Sequence, residues 1–194
     1  MQILTRRHKR LIPVLKSDAY GLGLLPIARE LTRHPGVKML AVAQVLEGAK
    51  LRECGIDADI LVLGGTLPRQ WGAAAELGLT LTVTRPGMIT ELNRLDKTVN
   101  VHLKIETGLN RNGIRPGKEL AGIIEELKAS SYVNLTGTYS HFAEAEAPNL
   151  ARCAAQKAEF DRALAQLEAA GISAGAVFGC NYKSKQPGRA IRYN

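Results

Sequence analysis

Leu11-Ile12-Pro13-Val14-Leu15-Lys16-Ser17-Asp18-Ala19-Tyr20-Gly21-Leu22-Gly23 is the stretch on which the reading of this chain turns. An apolar run of β type stops at a lysine, and Gly21 and Gly23 then break the pattern. In chains that alternate strands with helices, binding and catalytic groups sit at the C-terminal ends of strands. The run therefore predicts the Lys16 amine at such an end. A primary amine there can condense with an aldehyde cofactor.

Outward from this stretch the alternation continues. Residues 39–43, 60–63, 80–83, 99–105, 134–139 and 176–178 read as further strands, with helical segments over 26–33, 44–54, 68–77, 86–95, 118–128 and 147–170. Pro26, Pro68 and Pro86 suit first turns, and Gly55, Gly78 and Gly171 suit helix stops. No glycine-rich dinucleotide fingerprint follows the first strand, which favours an α/β fold of the (β/α)8 TIM-barrel type over an open sheet. Right-handed crossovers permit either, so the pattern alone leaves both open. A closed barrel has eight strands and about 250 residues. With 194 residues and about seven strand-helix repeats, the expected barrel is incomplete. Residues 1–181 are read as this barrel and 182–194 as an atypical basic tail without apolar period.

The formal net charge is +8, and its excess lies at the two ends: Arg6, Arg7, Lys9 and Arg10, then Lys183, Lys185, Arg189 and Arg192. Nucleic-acid binding calls for basic groups interleaved with stacking aromatics, and aromatics here are few and scattered, so solvated ends are preferred to a nucleic-acid surface. No apolar stretch is long enough to cross a bilayer, so no membrane partner is expected. Three dispersed cysteines, Cys54, Cys153 and Cys180, fit a reduced cytoplasmic protein and show no metal-ligand spacing with His141, so no metal is expected.

Four clusters fall at predicted strand ends: Lys16 with Tyr20; Lys104-Ile105-Glu106-Thr107-Gly108-Leu109-Asn110-Arg111-Asn112-Gly113; Ser140-His141-Phe142; and Gly179-Cys180-Asn181. In a parallel barrel all four would face one mouth. Each alone has a bland reading. Strand-end lysines are more often solvated than reactive, Arg111 between glycines suits a surface loop, and a lone histidine is more often a hydrogen-bonded core residue.

Their conjunction is more specific. The segment 16–23 resembles the pyridoxal-lysine motif of alanine racemases, 104–113 resembles that family's second signature, and Gly137-Thr138-Tyr139-Ser140-His141-Phe142-Ala143 resembles its third. The resemblance extends from the first strand to Asn181. It implies a pyridoxal 5'-phosphate (PLP) enzyme of fold type III that interconverts L-alanine and D-alanine for peptidoglycan precursors. It implies Lys16 as the residue that holds the cofactor covalently and as a catalytic base, Tyr20 and Asn181 near the cofactor phosphate, and His141 in the polar surroundings of its ring. Arg111 would bind the substrate carboxylate, and Lys104 matches a position carbamylated in some members. The family pattern also has an Asn-Ser-Ala motif, where Tyr182 here replaces the serine. A C-terminal β domain carrying a second, tyrosine base on a partner subunit is expected to be absent, with a homodimer expected for the full-length family. Activity of this chain alone is therefore not expected. The alternatives are a non-catalytic single-domain PLP-binding protein of the same barrel type, and a structural remnant with exposed strand edges.

Overall fold

Apolar runs bounded by glycine and proline become parallel strands here because each is covered by the helix that follows it. The computed structural model describes residues 11–143 and 151–180, and these divide into two compact units with the boundary between Thr82 and Val83.

In the first unit, β1 (Met39–Val42) pairs in parallel with β2 (Asp59–Val62), from Met39 opposite Asp59 to Val42 opposite Val62, and β2 pairs with β3 (Leu79–Val83). Leu40, Val42, Ile60, Leu61, Val62 and Leu81 are all fully buried. Their strands read as nearly continuous aliphatic runs, as parallel strands covered on both faces should. Helices α1 (Leu24–Thr32), α2 (Val45–Glu53) and α3 (Pro68–Glu76) supply that cover. Arg52, in the last turn of α2, donates from Nε to the Leu77 carbonyl (2.9 Å) and from Nη1 to those of Ile56 (2.5 Å) and Ala58 (2.8 Å). One guanidinium thus ties together the segments that follow α2 and α3.

The strand expected over 11–15 is reduced to two parallel bridges, Leu11 with Val37 and Val14 with Ala41. Its hydrogen bonds persist around the proline: Leu11 N–H donates to Gly36 O, Ala41 N–H to Pro13 O (2.8 Å) and Leu15 N–H to Ala41 O (2.7 Å). Pro13 has no N–H to add to the ladder, which accounts for the interruption.

The second unit holds α4 (Met88–Asn93), β4 (Val99–Ile105), α5 (Lys118–Lys128), β5 (Val133–His141), α6 (Ala151–Ala169) and β6 (Ala176–Cys180). Strand β5 pairs in parallel with β4 on one side and β6 on the other, with an irregularity between Val101 and His102. Sequence placed β4 and α5 at their observed bounds. It placed α4 two residues too early at its start, because Pro86 precedes a left-handed Gly87 rather than opening the helix. The side chain of Glu126 accepts from the Gly87 and Thr90 N–H groups instead. Among the described residues six strands are formed, against the seven expected. The start of the last helix at 147–150, the basic tail at 182–194 and Asn181 lie outside the described residues.

Candidate functional site

In the first unit, Lys16 follows buried Leu15 and opens a turn that the sequence did not announce. Ser17, Asp18, Ala19 and Tyr20 have φ of 55°, 54°, 52° and 58°: four consecutive non-glycine residues in the left-handed region. Left-handed backbone costs an L-residue about 1–2 kcal/mol. The sequence reading expected the chain to break at the glycines; the reversal instead begins at Ser17 and only ends at Gly21 (φ 84°).

Specific bonds hold this turn. Ala19 N–H donates to Leu15 O (2.9 Å), Gly21 N–H to Ser17 O (3.1 Å) and Gly23 N–H to Asp18 O (3.0 Å). Asp18 Oδ1 accepts from Leu24 N–H (2.7 Å), which ties the turn to the start of α1. Glu47 Oε1 accepts from Ser17 N–H (2.8 Å), while its Oε2 accepts from Ala43 N–H (2.8 Å) and Gln44 N–H (3.0 Å). Ala19 is 2% exposed and anchors the turn to the core. The Lys16 and Tyr20 side chains are exposed, with the Lys16 Nζ 6.0 Å from the centre of the Tyr20 ring. The turn therefore presents an amine and a phenol together on fixed backbone.

In the second unit, the loop after β4 folds back on its own strand. Ile114 N–H donates to Lys104 O (2.8 Å) and Glu106 N–H to Ile114 O (2.9 Å). Gly113 permits this approach: a Cβ there would lie 2.9 Å from Lys104 O, and its φ is +132°. Glu106 organises the excursion, accepting from the N–H groups of Gly108 (2.5 Å) and Arg111 (3.2 Å). Burial pushes its carboxyl up, but backbone N–H groups of Asn110, Gly108, Arg111 and Leu109 together hold it below the usual carboxylate range. Arg111 is thereby carried exposed at the loop's tip. Lys104 is 3% exposed and its Nζ donates to Asn112 Oδ1, so the lysine and the loop are joined through side chains as well.

His141 is the last residue of β5 and half-buried, as expected for a strand-end group. The adjoining Ser140 is fully buried; its Oγ lies 2.7 Å from Thr107 Oγ1 and donates to Ile105 O (3.0 Å). Gln156 of α6, 3% exposed, completes this network. Its Oε1 accepts from Ala143 N–H (3.0 Å) and its Nε2 donates to Thr107 Oγ1 (3.4 Å). The loops after β4 and β5 are thus tied by one helix side chain.

Deeper in this unit, His102 is fully buried in an aromatic layer. Its ring lies 5.7 Å from that of Phe178, which stacks on Tyr139 at 4.9 Å. Neither ring nitrogen has a hydrogen-bond partner among the described residues, and burial pushes the imidazole pKa down to about 4. Its register partner is Gly137, where a Cβ would sit 2.6 Å from the ring. Glu47, Gln156 and His102 were not singled out from the sequence. A helix-start glutamate after a strand was the available signal for Glu47; Gln156 and His102 carried none, since each matters only through neighbours distant in sequence.

Within each unit the expected residues thus share a locality: Lys16 with Tyr20 in the first, and Lys104, Arg111 and the His141 strand end with their supporting residues in the second. Comparison with known proteins gives a consistent answer. The family model described as alanine racemase, N-terminal domain, matches residues 1–181. Alanine racemase 2 of Bacillus subtilis is 34% identical over 186 residues, covering 91% of this chain and 47% of the relative. The crystal structure of alanine racemase from Bacillus anthracis with bound L-Ala-P superposes with a TM-score of 0.84 at 32% identity, covering 91% of this chain and 47% of that one. A histidine racemase from Leuconostoc mesenteroides superposes with a TM-score of 0.77 at 30% identity, over 84% of this chain and 45% of that one. The chain spans about half the length of the relatives it matches. The parallel strand-helix succession expected from sequence is that of the same TIM-barrel-like fold, and this chain belongs to the alanine racemase N-terminal domain family.

Proposed function

We propose that this chain is the PLP-holding part of an amino-acid racemase that interconverts L-alanine and D-alanine, a reaction of peptidoglycan precursor supply. The observation that carries the proposal is Lys16: an exposed amine just after the bridged segment 11–15, on a turn whose backbone is held by Glu47 and Asp18. The donor set fits the cofactor. An amine suits its aldehyde, while the Tyr20 phenol and the Arg111 guanidinium suit anionic oxygens. In this reading Lys16 Nζ would hold the cofactor covalently through its aldehyde carbon. Tyr20 donates to the phosphate. Arg111, on the loop ordered by Glu106, binds the substrate carboxylate, and Lys104 fixes that loop through Asn112. His141 and Asn181 contribute to the polar surroundings. When bound, the cofactor draws away the electron pair left as the substrate Cα–H bond breaks. Lys16 would accept or return that proton at Nζ.

Alanine as substrate follows the B. subtilis relative and the L-Ala-P bound to the B. anthracis enzyme. The histidine racemase neighbour shows that this fold also serves another amino acid. A homodimer in the cytoplasm completes the proposal; no described helix is long and apolar enough to cross a membrane.

Incubation with PLP, borohydride reduction and peptide mass analysis tests it. The pyridoxyl mass is expected on the peptide containing Lys16 and is expected to vanish in Lys16→Ala. An adduct elsewhere, or one that survives that substitution, refutes the assignment. Formation of D-alanine from L-alanine separates a racemase from a holder of the cofactor without turnover.

A further inference from the structure

Glu47 sits in the first turn of α2, thirty residues after Ser17, and its carboxylate serves two jobs at once. Oε2 takes the Ala43 and Gln44 N–H groups at the end of β1 and the start of α2; Oε1 takes the Ser17 N–H, the first amide of the left-handed turn. Only the first job is ordinary helix capping. The second reaches across to the residue after Lys16, where the backbone leaves its favoured conformation. The corresponding helix start in α3 offers a contrast within the same unit. There Gln70 accepts from Leu67 N–H (2.9 Å), a cap confined to its own helix start.

We infer that Glu47 is a positioning residue for Lys16: its carboxylate holds the turn in the conformation that presents the amine to an aldehyde-bearing cofactor. The inference rests on the proposed cofactor role of Lys16. Three N–H donors converge on two carboxylate oxygens, so an amide cannot replace the carboxylate without loss. A glutamine oxygen turned toward Ala43 and Gln44 leaves an NH2 group facing the Ser17 N–H, donor against donor. Helix α2 keeps its cap, because glutamine also serves in that role. The strained turn loses its clamp, and the fraction of molecules in the binding-competent conformation falls, which weakens apparent affinity by that fraction.

The test uses the full 194-residue chain, its Glu47→Gln variant and, as a matched control, Gln70→Ala. PLP is titrated by absorbance, the adduct is located after borohydride reduction, and exchange of the Ser17 amide is followed by hydrogen–deuterium mass analysis. Glu47→Gln is expected to fold, to carry its adduct still on Lys16, to exchange the Ser17 amide faster, and to bind PLP roughly tenfold more weakly, equivalent to about 1.4 kcal/mol. Gln70→Ala is expected to bind as the parent does. Parent-like affinity in Glu47→Gln overturns the inference while leaving Lys16 as the cofactor residue. Equal weakening in Gln70→Ala overturns it too, since a general loss of stability would then account for the effect. A parent chain that gives no adduct on Lys16 brings down the functional proposal, and the positioning role with it.

Discussion

Lys16 and Lys104 are the two lysines singled out from the sequence, one to hold the cofactor and one at a position carbamylated in some family members, and the two units treat them in opposite ways. Lys16 stands exposed on a left-handed turn whose backbone is strained and clamped. Lys104 is buried inside β4 and bonded through Nζ to Asn112. In the first unit constraint is placed on the backbone and the side chain is left available. In the second, side chains constrain one another, and the exposed group, Arg111, hangs from a loop tied down by Glu106. A lysine's usefulness as a nucleophile is therefore set by what fixes the chain around it.

Acid should separate the two arrangements most strongly. His102 is held neutral by burial, with a folded pKa of about 4 against 6.5 for an ordinary histidine. The unfolded chain binds more protons between those values, so the contribution is fully present above pH 6.5 and is lost as pH falls toward 4. The difference corresponds to about 3 kcal/mol. Denaturant unfolding at stepped pH should show this decline, and His102→Leu should flatten it; an unchanged slope in the variant would remove the histidine as its cause.

Packing around the same ring provides the next test. Gly137→Ala places a methyl group 2.6 Å from atoms of the His102 ring, on backbone paired with two strands. A loss of about 2 kcal/mol is expected from overpacking, read as a lower denaturation midpoint. A neutral result would mean that the aromatic layer is looser than the buried surfaces indicate.

The smallest expected effect has the opposite sign. Ser17 has a left-handed φ of 55° and an exposed side chain, so Ser17→Gly should relieve strain at that residue. Against this stands glycine's larger entropy in the unfolded chain, leaving a net gain of about 0.5 kcal/mol. The melting temperature should rise slightly while PLP affinity falls, because the relieved turn has more conformations open to it. A fall in melting temperature would show that the turn is not under strain at Ser17.

How much of this was legible in sequence follows from the range of each interaction. Strands β4 and β5 and helix α5 were readable because continuous β-type runs and a helical period are local signals. The strand at 11–15 was overread because its apolar pattern outweighed Pro13, whose missing donor matters only once a neighbouring strand is in place. Lys16, Tyr20, Lys104, Arg111 and His141 were singled out as members of motifs. The left-handed turn was not, since of Ser17-Asp18-Ala19-Tyr20 only the aspartate tolerates that conformation well, and part of the turn's support is a carboxylate thirty residues away. Gln156 was invisible for the same reason, its partners being Thr107 and Ala143 on two other elements.

That glutamine has a mechanical consequence. Because a single buried amide grips both Thr107 and the backbone beyond His141, the two rims cannot drift independently. Parting the two rims would require breaking one of those hydrogen bonds, so α6 acts as a brace shared by both.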